Sequence, residues 1–184
     1  MPWSLDYQLP KEPVLLDQLF LAAGKALYLA SAFEAKCQFL LRILKVVRHY
    51  EGAGDASATA ELAKILKEKM LGPTIRELNI ITEFTEKDLA IFQRGKDARN
   101  YIAHESARLG PLSSTSEKSI NEKLTRLRVE LEALVTADNL ISVWLYEIDE
   151  KEPAPSGIQS AYHEWVFQWV FEGSYDIKAD TVLM

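Results

Sequence analysis

The stretch STSEKSINEKLTRLRVELEAL, residues 114–134, decides the fold class. Ile120, Leu124, Leu127, Leu131 and Leu134 follow at alternating spacings of four and three, which on a helix draws a single apolar seam. Mostly charged and polar residues fill the gaps. Ser114-Thr115-Ser116-Glu117 opens the run with a hydroxyl and, three residues on, a carboxylate, the pair that satisfies free N–H groups at a helix start. Such a seam is stable only against facing helices, so the flanking sequence must supply them.

Just upstream, Thr85-Glu86-Lys87-Asp88 is a start of the same kind, with Asp88 in place of Glu, and Leu109-Gly110-Pro111 is a stop. Gly95 inside the predicted helix costs about 1 kcal/mol relative to Ala, which points either to a close backbone approach or to a packing irregularity. Thr74-Ile75-Arg76-Glu77 reads as the capping box of a brief helix to about Thr82. Ala58 to Leu71 reads as a helix carrying Leu62, Ile65, Leu66 and Met70 and stopped by Gly72-Pro73.

Nearest the start of the chain, Val14 to Tyr50 sets Leu16, Leu19, Phe20, Ala23, Leu27, Ala30, Phe33, Cys37, Leu40, Leu41 and Leu44 at helical spacing. Pro13 suits its first turn, Gly24 is a candidate kink, and EGAGD at 51–55 ends it. Downstream of the seam, LISVWLYEI at 140–148 fits buried helix or strand, and we read helix. EKEPAPSG at 150–157 is a loop by composition. Gln159 to Phe171 then forms a short aromatic helix, whose Trp165 and Trp169 dock on the bundle in preference to a subunit interface. The expectation is an all-α, up-and-down bundle of four to five helices. It forms one domain over 1–184, with its core at about 14–148 and a C-terminal extension at about 149–184.

Apolar residues make up 48% of the 184, ample for a core, and the net charge of -6 argues against a protein that coats nucleic acid non-specifically. Cys37 is the single cysteine, so neither an intrachain disulfide nor a multi-cysteine zinc site is available. MPWSLDYQLPKEP lacks the basic and apolar regions of a secretory signal. Seven charged residues between Asp17 and Arg48 argue against a membrane span. A cytoplasmic protein without membrane attachment is expected.

Usable polar chemistry concentrates in Arg94-Gly95-Lys96-Asp97-Ala98-Arg99-Asn100-Tyr101-Ile102-Ala103-His104-Glu105. His104 can exchange a proton near neutral pH, and Arg99 is a permanent cation whose planar fork matches a phosphate. Asn100 lies one turn before His104 on the same face, and Lys96 extends that stripe. Arg99 is rotated from His104 by about 140°, so the two converge only through the long arginine side chain or across a dimer. Tyr101 and Ile102 read as core. Glu105 either pairs with Arg108 or edges the cleft. The competing reading of Arg99, Asn100 and His104 is a polar patch that holds one helix to its neighbour. His49 and His163 have no supporting constellation.

RNYIAH, residues 99–104, resembles the Arg-x4-His motif of the HEPN ribonucleases, and the bundle pattern agrees loosely over Val14 to Glu147. The resemblance implies a homodimer whose facing motif helices bring two Arg99 and two His104 residues into one cleft that cuts RNA without metal or cofactor. Asn100, Lys96 and Glu105 would support or bind substrate. It also implies 2′,3′-cyclic phosphate and 5′-hydroxyl ends, a toxin or defence role, and an antitoxin or regulatory protein as partner. One branch of the family carries a tyrosine two residues after the histidine as the target of a nucleotidyltransferase antitoxin; here that residue is Ser106. A non-catalytic HEPN-like module binding a nucleotide or a protein, and a plain helical interaction protein, are the rival readings.

Local charge adds a further expectation. Arg94, Lys96, Arg99 and Arg108 outnumber Asp97 and Glu105, and Lys118, Lys123, Arg126 and Arg128 outnumber Glu117 and Glu122, giving either a basic groove or two solvated helix faces. No zincin spacing, Gly-rich phosphate loop or Gly-x-Ser-x-Gly elbow occurs.

Overall fold

A computed structural model of the chain describes residues 10–52 and 70–172. Among them are five α-helices and no strand: α1 Pro13–Gly52, α2 Leu71–Thr82, α3 Glu86–His104, α4 Glu117–Glu150 and α5 Ser156–Phe167. A single 3-10 turn, Leu112–Ser114, precedes α4, and a π-helical segment, Gln168–Glu172, continues α5. The protein is an all-α helical bundle, as the sequence predicts. The helix expected at 58–71 lies, up to residue 69, outside the described residues.

The seam of α4 is the centre of the core. Leu127, Leu131, Leu134 and Ile141 are fully buried there, in one cluster with Phe33, Cys37 and Leu40 of α1 and Phe92, Ala98 and Ile102 of α3, while Ile120 is buried in a smaller cluster of its own with Leu16 and Leu19. LISVWLYEI continues α4 because Ile141 and Trp144 face that core, and burial outweighs β-propensity. Glu105 meets Lys123, Arg94 meets Glu130 and Phe92 meets Trp144, so α3 runs antiparallel to α4. Leu16 and Leu19 pack on Ile120 while Lys36 reaches Asp138, so α1 runs with α4. α5 and the π-helical segment that continues it return against α4 from Asn139–Gln159 to Arg128–Phe171, and Val166 of the one and Val170 of the other join the core.

Gly95 marks a close approach, since a Cβ there would lie 2.4 Å from the Cβ of Ala137 and 3.3 Å from Cζ of Phe33. The Thr85 cap also forms as read: its hydroxyl accepts from the Asp88 N–H at 3.1 Å and donates to the Asp88 carboxylate at 2.7 Å.

Several boundaries differ from the sequence reading. Gly72-Pro73 does not stop a helix but sits in the first turn of α2, where a proline's missing N–H would have had no intrahelical partner. The Thr74–Glu77 capping box is absent: Thr74 donates to the Met70 carbonyl and Glu77 binds Lys45 of α1. Ser116, not Ser114, caps α4, accepting from the Ser119 N–H. α3 ends at His104 rather than near Leu109, because the Glu105 and Ser106 N–H groups both turn back to the Tyr101 carbonyl. Helix α1 runs unbroken through Gly24. Phe20 and Leu27 stay exposed, because Ala22, Ala26 and Ala30 share the inner face that a looser spacing had assigned to them. By length and composition alone, Pro13–Arg48 is apolar enough to cross a membrane, its best window having a mean hydropathy of 1.3.

Candidate functional site

α3 carries every residue singled out by the motif. Its inner face, Phe92, Gly95, Ala98 and Ile102, is buried against α1 and α4, which fixes the direction of the polar residues between them. Arg99 leaves on the α1 side, and its guanidinium forms a half-buried ion pair with Glu34. A second guanidinium N–H donates to Asn100 Oδ1 at 3.2 Å. His104, the last helical residue, is exposed, and no hydrogen bond or ion pair to its ring is found among the described residues. Arg99 and His104 therefore diverge within one chain, and Asn100 is the side chain between them.

The supporting residues have local partners. Lys96 donates to Gln93 at 3.0 Å and lies 3.3 Å from the Asp97 carboxylate. Glu105 takes Arg108 at 3.2 Å, while its backbone carbonyl accepts from Lys123 of α4 at 2.8 Å. Ser106 is buried and donates to the Ile102 carbonyl at 2.7 Å.

Tyr101 is only partly buried and serves as a platform: the Lys123 ammonium and the Arg126 guanidinium lie 5.9 and 5.5 Å from its ring centroid. Burial pushes the Tyr101 phenol up, Arg126 opposes that shift, and Glu130 and Glu105 add to it. The end of α3 that bears His104 thus gathers Lys123 and Arg126 from α4, whose charge pattern admits either a basic groove or a solvated face. The signal that could have found them is their period: Lys123 and Arg126 fall three apart beside the buried seam.

Most of the expected basic surplus is neutralised. Arg94 and Arg126 converge on the fully buried carboxylate of Glu130, Arg99 is held by Glu34, Arg108 by Glu105, and Lys118 lies 4.0 Å from Glu122. Lys123 sits instead on a carbonyl and Arg128 stacks over Phe171 at 3.9 Å. His163 lies 3.0 Å from Glu132 and stacks on Phe167, away from α3. A hollow of about 420 Å³, floored by Phe84, Trp144, Leu40 and Leu44, lies at the opposite end of α3 from His104.

Comparison with protein-family models, curated proteins and solved structures finds no match.

Proposed function

We propose that the chain is a metal-independent endoribonuclease resembling the HEPN ribonucleases, acting in the cytoplasm as a homodimer, with toxin or defence as its setting. The observation that carries the reading is the exposure of His104 at the end of the helix that also holds Arg99 and Asn100. An imidazole must reach the ribose to work, and this one is open. In the proposed reaction His104 takes the proton of a 2′-hydroxyl, the oxygen attacks the adjacent phosphorus, the bond from phosphorus to the 5′-oxygen breaks, and that oxygen leaves with a proton given by an imidazolium or by water. Arg99 stabilises the charge on the phosphoryl oxygens. Because Arg99 and His104 point apart within a chain, a composite cleft in which one protomer's histidine works beside its partner's arginine suits this chemistry. Lys123, over the Tyr101 ring and bound to the Glu105 carbonyl, offers a further phosphate contact beside His104.

A second reading, a binding module for a nucleotide or a protein, is favoured by one observation: Glu34 already occupies the Arg99 guanidinium. Incubation of labelled RNA in EDTA with wild type, Arg99→Lys and His104→Ala separates the two. The ribonuclease reading expects cleavage by wild type and a loss of at least 100-fold in both variants. The binding-module reading expects no cleavage, with a nucleotide raising the melting temperature.

A further inference from the structure

The side of α1 turned away from the core is as apolar as a buried helix. Val14, Phe20, Leu21, Leu27, Tyr28 and Phe39 are between 39% and 71% exposed, and they occupy neighbouring rows along more than six turns. With ordinary side-chain areas these six expose on the order of 700 Å², above the few hundred Å² usual for a monomer's largest patch and close to the roughly 800 Å² that each partner buries in a standard interface. Small residues lie between the large ones: a Cβ on Gly24 would touch nothing within 4 Å, and Ser31 and Ala35 are exposed.

We infer that this face packs antiparallel against the same face of a second copy of the chain. The face is self-complementary when the two-fold axis crosses between Leu29 and Ala30. In that register Gly24 meets Ala35 near the same line of the face, so small residues lie where the two helices approach, and Tyr28 comes level with Ser31. Asp17, exposed near one end of the face, meets Arg42 near the other, and the symmetry makes this pairing twice. Arg42 also has a contact within its own chain. A parallel pairing about an axis along the helices would instead set Asp17 against Asp17. Isologous packing of this kind closes on itself and gives a dimer.

The interface stands independently of the ribonuclease reading, though it bears on it. A two-fold axis lying in the interface keeps each flank on its own side, so the Glu34–Arg99 edges of the two copies come to the same side of the α1 pair. Both α3 helices then border one groove.

Sedimentation and oxidative cross-linking test this on the full chain. Wild type is expected at twice the 20.8 kDa chain mass, and Tyr28→Asp, which also gives up the edge contact of Tyr28 with Trp169, as a monomer with unaltered circular dichroism. Asp17→Arg should raise the dissociation constant about tenfold and Asp17→Arg with Arg42→Asp should restore it. Gly24→Cys with Ala35→Cys should oxidise to a covalent dimer, Cys37 being fully buried. A monomer at all concentrations, a dimer indifferent to Tyr28→Asp, or a chain that stays monomeric in water and binds phospholipid vesicles through Tyr28 would each overturn it. A dimer of this geometry without RNA cleavage removes only the ribonuclease reading, whereas RNA cleavage by a wild-type monomer removes the interface and the composite cleft and leaves the ribonuclease chemistry.

Discussion

His104 and Arg99 differ in what their replacement does to the fold, and that difference decides which is the cleaner probe. His104 is exposed, so His104→Ala should change unfolding free energy by no more than about 0.5 kcal/mol in a denaturant titration. Arg99→Ala leaves the Glu34 carboxylate, 18% exposed, without its cation, at a cost of about 1–2 kcal/mol. Arg99→Lys keeps the charge and loses the fork. Arg99, Asn100 and His104 were legible as a group because they lie within six residues of one another. Their partners were not: Glu34 is 65 residues before Arg99, and Lys123 reaches the Glu105 carbonyl from the next helix. Local spacing carries no information about which remote carboxylate a guanidinium will find.

At the scale of elements, Gly95→Ala opposes two effects on α3. Ala gains about 1 kcal/mol of helix propensity, while a Cβ 2.4 Å from Ala137 forces two packed backbones apart at about 1–3 kcal/mol or more. The overlap is too deep for a side chain to yield, so a net loss of about 1–2 kcal/mol is expected by chemical denaturation. The long helices were legible because an apolar seam repeats over many turns, as at Ile120 to Leu134. Their ends were not, because several hydroxyls compete for one cap: Ser114, Thr115 and Ser116 all precede Glu117, the first two donate to the Pro111 carbonyl, and the Ser116 hydroxyl accepts from the Ser119 N–H. The outer face of α1 hid Phe20 and Leu27 for a related reason. Where apolar residues ring a helix, periodicity does not say which side faces in.

For the whole molecule, the bundle is tied across helices by the buried Asp138 carboxylate of α4, which takes Lys36 of α1 at 2.8 Å and the Tyr162 hydroxyl of α5. Lys36→Met strands that charge in the core and should cost about 3 kcal/mol in denaturant titration. Alkaline pH acts on the same region. Burial, with Asp138 and Glu34 adding to it, pushes the Cys37 thiol far above its ordinary value, and burial with Asp138 does the same to Tyr162. Both groups are held neutral by the fold, so their contribution is intact at neutral pH. It declines once the unfolded chain begins to release the thiol proton above about pH 8.5. The denaturation midpoint should fall from there, and Cys37→Ala should flatten the first part of that fall.

The chemistry of the ends left by RNA cleavage tests the central claim most directly. Total RNA incubated with the purified chain in EDTA should yield 2′,3′-cyclic phosphate and 5′-hydroxyl termini, and His104→Ala, folded and in the same assembly, should yield none. Equal cleavage by His104→Ala, termini of another kind, or an inert wild type that is folded and dimeric would contradict it.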